Sequence, residues 1–373
     1  MSDIIKTIKI KTSRDFKDEP INLRCDGVRD GAVELTLNEQ NGNYSAAPIP
    51  ADAEGGIITA IVTLPAGEHT LTVREAGSIK PGVTITEVAG DDRIDIKYGD
   101  TRFTSYVYTK SLPKPYLGPI LTPDGTSYTR LDFTTTEHPH HRSVFFGVGD
   151  VTLEGTDIKN IDFWNEPQMR GIQTHEGIEK IVCGAARSSF TVASKWRAND
   201  GRPVMDAECT YTFYNQGADC RFIDIELTFK ASYGTVTFGK TKEAGPLGVR
   251  LADQLRGDRG GYIENSYGAR GEVECWGRSA NFCVCGGEAN GHMLGIAVFD
   301  NEKNERYPTS WHVRDYGLFA ANNLYFKGGL KIDEGQSLTY RYRLVFFEGK
   351  PDDRNIRIRE RFLAYVNPPR VLK

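Results

Sequence analysis

An all-β fold is predicted: a large antiparallel β-sandwich preceded by a small immunoglobulin-like β-sandwich module. Three observations predict it. Segment after segment alternates apolar and polar residues with period two. These segments are rich in Val, Ile, Thr, Tyr and Phe, and Gly-, Asn- and Pro-containing turns divide them. Helical periodicity is nearly absent before the C-terminal tail.

Residues 1–88 read as the small module. AVELTLN (32–38), IITAIVTL (57–64) and HTLTVREA (69–76) alternate, and NEQNGN and PAGEH supply turns between them. GEHTLTVREAG has the look of an immunoglobulin-like closing strand, from a kind of module that usually packs or presents. The Pro and Gly of GSIKPGVTITEVAGDD would break a strand, so a boundary is expected there. Residues 89–373 then form the larger domain. Its strands are longer, among them RSVFFGVGDV, DAECTYTFYNQ, CRFIDIELTFKAS, GHMLGIAVFDN and SLTYRYRLVFFEG. So many strands in one domain imply two antiparallel sheets packed face to face. The one helix expected is the tail, PDDRNIRIRERFLAYVNPP. It has Asp at its start, apolar Ile356, Phe362, Leu363 and Val366, and a Pro-Pro stop.

Composition narrows the function. The chain of 373 residues is 39% hydrophobic and 26% charged, the balance of a soluble globular protein. No run approaches the roughly 20 apolar residues a spanning helix needs, so no membrane partner is expected. The net charge of −4 leaves no basic field for nucleic acid. No secretory signal heads MSDIIKTIKIKTSRDFKDEP, and a cytoplasmic location is expected. The seven cysteines are odd in number and suit small buried apolar residues, not a disulfide scaffold. Cys283 and Cys285 share a face if their segment is a strand.

Four segments carry candidate chemistry. TTTEHPHHRSVFFGVGDV holds His138, His140 and His141 with Arg142. Pro139 biases His138 toward extended backbone. In an extended segment His138, His140 and Arg142 would share one face and His141 would point away. Two imidazoles beside a guanidinium suit an anionic or polyhydroxylated ligand, or acid–base work near neutral pH. DIKNIDFWNEPQMRGIQTHEG reads as a loop with Asp162, Trp164, Glu166 and His175. Trp164 offers a flat face of the kind that stacks on sugar rings. FGKTKEAGPLGVRLADQL brings Lys240, Lys242, Glu243 and Arg250, with Gly245-Pro246 as a tight turn. NEKNERYPTSWHVRDYGLFAANNLY is expected to be irregular and packs in Trp311, His312, Arg314, Tyr316 and Asn322. No dinucleotide fingerprint, P-loop, HExxH or GxSxG occurs, so nucleotide cofactors, metalloprotease and α/β-hydrolase chemistry are not expected.

Together KPYLGPILTPDGTSYTR, HPHHRSVFFGVGDV, DFWNE, GIQTHEG, FGKTKEAGPLGVRLAD and PTSWHVRDYGLFAANNL resemble the bacterial PmoA-like family over about residues 90–350. The resemblance implies a soluble β-sandwich of uncharacterised activity. The family's methane-oxygenase label implies a membrane subunit, which a chain without an apolar span does not match. A sandwich with a His-, Trp- and Glu-lined cleft is also similar to the galactose mutarotase-like supersandwich, where His and Glu act on sugar rings.

The resulting expectation is a carbohydrate-active enzyme working by hydrolysis, elimination or epimerisation. Trp164 and Trp311 would stack on the ring, and His140, Glu166, His175 and His312 would exchange protons. Arg142, Lys242, Arg314 and Tyr316 would hold oxygens. No organic cofactor is expected; a divalent metal on His138 and His140 would need further ligands. The rival expectation is a non-catalytic carbohydrate-binding or scaffold protein.

Overall fold

A computed structural model describes residues 4–38, 47–77, 80–130, 137–166 and 170–372. With 54% strand and 7% helix, the fold is all-β. The small unit is one sheet in the order Phe16–Arg24, Ile57–Leu64, Ile49–Glu54, Gly31–Asn38, Gly67–Glu75, Ile4–Thr12 and Arg370–Val371. Period-two alternation sends Ile21, Ile58, Val33, Leu71 and Ile10 from five of these strands into one shared core. The sheet folds over that core, and the chain's last strand closes its edge, with Val371 opposite Ile10.

The large unit is a sandwich of two eight-stranded sheets. The first runs Ser310–Arg314, Leu318–Asn322, Ala244–Arg250, Val144–Val148, Tyr116–Leu117, Thr101–Val107, Arg93–Tyr98 and Val83–Val88. The second runs Gly171–Cys183, Arg187–Ala198, Pro203–Tyr214, Cys220–Lys230, Ser337–Glu348, His292–Asp300, Phe282–Ala289 and Tyr262–Asn265. Ile94, Phe103, Val249 and Phe319 of the first sheet meet Phe190, Tyr211, Ile225 and Leu344 of the second in the main core. Cys283 and Cys285 do share a face and are buried there.

Four local expectations are corrected. The division does not fall at residue 88: Val83–Val88 pairs with Arg93–Tyr98, and Val83 and Ile85 enter the main core. Pro81-Gly82 precedes this strand and interrupts nothing within it. The tail helix is Ile358–Val366, and no Asp side chain caps it; Asp353 instead accepts the N–H of Lys350 in the turn before it. The stretch around Trp311 is a regular hairpin, Ser310–Arg314 against Leu318–Asn322. Its turn closes through Gly317, whose φ of 93° is open to glycine at little cost. Gly245-Pro246 is no tight turn either. Both lie in the strand Ala244–Arg250, where the register slips between Phe145 and Gly147 of its neighbour and leaves room for a proline.

The helix covers the back of the second sheet, Phe362 lying 5.4 Å from Phe282 and 5.5 Å from Phe299. The two units are pinned by Asp52, whose carboxylate accepts the N–H groups of Ala185, Ala186 and Arg187 at 2.7, 2.8 and 2.9 Å.

Candidate functional site

Strand register builds the floor of the site. His312 lies opposite Ala320, Ala320 opposite Gly248, and Gly248 opposite Phe145. Their neighbours Trp311, Phe319, Val249 and Val144 are in the main core, so this row occupies the other face of the first sheet. Arg314, Leu318 and Arg250 form the next row on the same face. Glycine is needed at two places. A Cβ on Gly248 would stand 2.8 Å from the Phe145 ring, and one on Gly147 would stand 3.1 Å from the Trp164 ring. Phe145 and Trp164 therefore lie directly on the sheet, in a small apolar cluster with Leu318 and Ala320.

Above this floor HPHHR forms a turn, not an extended segment. The His141 N–H donates to the His138 carbonyl at 3.0 Å, and His138 has φ of 46°. Tertiary hydrogen bonds override the local preference of a residue before proline. The buried Arg130 donates to the carbonyls of Glu137 at 2.8 Å and His138 at 2.9 Å. The Glu137 carboxylate receives Arg250 at 3.2 Å and Arg256 at 3.0 Å. As a result His138 faces His141, their rings stacked 5.0 Å apart, while His140 stands edge-on to His141 at 4.3 Å. Tyr316, from the hairpin turn, stacks on His138 at 4.6 Å.

Arg142 leaves the turn in another direction. Its Nε and Nη2 grip the Glu166 carboxylate at 2.7–3.0 Å. Lys114 approaches the same carboxylate at 3.6 Å, donates to the Trp164 carbonyl at 2.7 Å, and sits 4.6 Å from the Phe145 ring centre. Burial lowers the Lys114 pKa to about 8, against the pull of Glu166. Glu166 is thus an anchor ion-paired to Arg142 and Lys114.

Burial also sets the protonation of the histidines. It lowers His140 to about 3, with Lys114 and His138 adding repulsion, and lowers His312 to about 4. His138 and His141 move in the same direction. All four are neutral imidazoles at neutral pH. His312 donates Nδ1–H to the Lys242 carbonyl at 2.8 Å, so its Nε2 holds the lone pair. A guanidinium only donates, so Arg250, 3.4 Å from His141 Nδ1, places the His141 proton on Nε2. Glu243, facing Lys242, Asp162 and Arg314, has its pKa raised by burial.

The structure therefore brings His138 into contact with His140 and Tyr316, and pairs Arg142 with Glu166 on the other side of the turn. His312 and Arg314 lie on the same sheet face. Other expected residues do not serve as predicted. Trp164 is fully buried beneath His141, and Trp311 is fully buried in the main core with Nε1 donating to the Ala280 carbonyl at 2.8 Å. Neither can stack on a sugar. Trp311 alternates inward because its neighbour His312 alternates outward. His175 belongs to the edge strand Gly171–Cys183 of the second sheet. Its ring lies 4.1 Å from Tyr108, and its charged neighbours are Glu87, Asp92 and Glu176. Lys242 offers its carbonyl, while its ammonium is half exposed and 3.8 Å from Glu243. The centroids of His138 and His140 stand 5.8 Å apart, and among the described residues no group of three His, Cys, Asp or Glu side chains converges to hold a metal.

Lys114 and Glu137 are contributors that pattern reading does not single out. The one sequence signal for Lys114 is its place between Pro113 and Pro115 in an apolar stretch. Glu243 and Arg250 stand in a marked segment, but their roles emerge only from the sheet register.

Fold and site define an all-β two-sheet protein with a neutral histidine turn, arginines and carboxylates on one sheet face. A family model described as DUF6807, a family of unknown function, matches residues 93–359, and the chain belongs to that family. No curated protein matches it. Among solved structures, a protein in the glycosyl hydrolase family 38 from Enterococcus faecalis aligns at 9% identity and a TM-score of 0.45, covering 100% of this chain and 46% of the other. The chain thus spans about half the length of that protein. Galactose 1-epimerase from Lactobacillus acidophilus NCFM aligns at 10% identity and a TM-score of 0.34, covering 73% of this chain and 100% of the other. A GalM/aldose epimerase homologue from C. elegans aligns at 10% identity and a TM-score of 0.27, covering 72% and 99%. At these scores the likenesses carry no inference about activity.

Proposed function

We propose that the protein is an enzyme that binds a small carbohydrate or sugar derivative against the histidine turn and moves a proton on it, with no organic cofactor. One observation carries this reading. Of the fourteen buried side-chain atoms without a hydrogen-bond partner among the described residues, five lie in this one cluster: His138 Nδ1, His140 Nδ1, His141 Nε2, Trp164 Nε1 and Arg250 Nε. Buried polar atoms are costly to leave unpaired, and where they concentrate a ligand or ordered water is the usual partner. A sugar presents hydroxyls that both donate and accept, which suits the imidazole and guanidinium groups of this cluster.

His140 and His312, neutral and beside cations, are the bases. Glu243, whose carboxyl burial shifts toward the protonated form, is the acid. Arg250, Arg314 and Tyr316 hold ligand oxygens, and the Arg142–Glu166–Lys114 set fixes the turn. Proton abstraction next to a carbonyl, hemiacetal opening and glycosidic cleavage all begin with such an acid and base.

A panel of aldoses, uronates, keto-sugars and glycosides followed by NMR in D₂O tests this. Wild type should show exchange, ring opening or cleavage. H140A should lose on the order of 10²–10⁴-fold in rate. H175A, altered outside the site, should keep it. Saturable binding with no turnover across the panel would replace the enzyme by the binding-module reading. The acid limb of kcat/KM should fall below pH 5, because the bases are already neutral at pH 6, and the alkaline limb should follow loss of the Glu243 proton.

A further inference from the structure

Trp164 and Trp311 are sealed and cannot stack on a ligand. An open aromatic surface lies at the edge of the site. Trp276 follows the short helix Gly271–Cys275 and is half-buried; its ring meets Phe326 edge-on at 4.8 Å and Tyr325 at 6.2 Å. Tyr325 and Phe326 in turn contact each other at 4.9 Å. Phe326 is 38% exposed, and Val273 on the adjoining helix is 93% exposed, so this aromatic group faces solvent. Phe326 holds its place because residue 277 is glycine: a Cβ there would stand 2.7 Å from the ring.

Two cations flank the group. The Arg314 guanidinium lies 5.3 Å from the Trp276 ring centre, and Lys240 lies 5.9 Å from that of Tyr325. The group is tied to the site by a short chain of contacts. Arg314 bonds Glu272 at 2.7 Å, and Glu272 accepts the Asp315 N–H at 2.7 Å. The next residue, Tyr316, is the one stacked on His138.

We infer that Trp276, Tyr325 and Phe326 form the stacking subsite for a pyranose ring of the ligand, with Arg314 and Lys240 donating to its hydroxyls. This rests on the sugar-directed reading above. The C–H face of a pyranose carries slight positive charge and packs on the electron-rich faces of aromatic rings, while its equatorial hydroxyls reach outward to donors at the rim. An apolar ledge rimmed by two cations matches that division within one ligand.

The four tryptophans make the test selective. Trp164, Trp196 and Trp311 are at most 1% exposed, so Trp276 is the one that a solvent quencher can reach. Iodide should quench a component of wild-type emission that W276F lacks. Methyl pyranosides and disaccharides, added one at a time, should shield that component. Where a sugar is turned over, W276A should raise KM about tenfold with little change in kcat, and W276F should restore KM. Emission unmoved by every sugar in the panel, or an unchanged KM in W276A, overturns the subsite. Shielding of Trp276 together with turnover that survives in H140A would leave the subsite standing and remove the histidine chemistry. Loss of turnover in H140A with no shielding would do the reverse.

Discussion

Lys114 and Glu166 show how strongly single side chains are committed here. Their side chains are 1% and 10% exposed, and Arg142 completes the set. Removing one member of a buried ion pair leaves the other charge without compensation. E166Q should therefore lower unfolding stability by about 3 kcal/mol, measured by urea denaturation at pH 7. It should also push the Lys114 pKa further below 8, since Glu166 is its main opposing charge. His140 makes the pH prediction. Its pKa is depressed in the folded state, so below about pH 6.5 the unfolded chain binds a proton that the native chain refuses until about pH 3. Its contribution is complete at pH 7 and is lost on acidification. Wild type should thus lose stability relative to H140N by up to about 1.4 kcal/mol per pH unit between pH 6 and 4. A difference that stays constant over that range would show that His140 is not neutral when buried.

Two elements bring these residues into register. In the hairpin 310–322, inward Trp311, Val313, Phe319 and Ala321 alternate with outward His312, Arg314, Leu318 and Ala320. That alternation is present in the sequence, and counting it would have separated Trp311 from His312. The density of Asn, Gly and charged residues hides it. The histidine turn is different in kind. Nothing within HPHHR specifies a positive φ at His138; Arg130, eight residues before it, holds the turn through the carbonyls of Glu137 and His138. The strand Ala244–Arg250 offers a direct test of the floor. G248A should drive a methyl group against Phe145 and cost about 1–3 kcal/mol, with a weaker near-ultraviolet aromatic signal. An unchanged stability would mean that Phe145 has room to move.

The arrangement of whole sheets assigns the faces. One face of the first sheet builds the main core with the second sheet, and the other is free to carry polar chemistry. The second sheet has its back occupied by the tail helix and the small unit, with Phe362 and Ile356 packed against Phe282, Phe299 and Phe347. Asp52 fastens the small unit to the turn at residues 185–187, and Gly184 beside it has no space for a side chain, since a Cβ would stand 2.5 Å from the carboxylate. D52A removes the acceptor for three backbone N–H groups. Calorimetry should then show the small unit melting in a separate, earlier transition, whereas a single undivided transition would mean that the other contacts suffice to couple the units.

The all-β class and the tail helix were legible from periodicity, because alternation and turn residues are local properties written into short segments. The grouping of His138, His140, Arg142, Glu166 and Tyr316 was legible only as a list of reactive residue types. Their geometry depends on contacts between segments far apart in the chain. Burial converts Trp164 and Trp311 from candidate stacking surfaces into core, moves His175 to another sheet, and holds the clustered histidines neutral. Desolvation and cross-strand register belong to the assembled fold, and no window of sequence contains them.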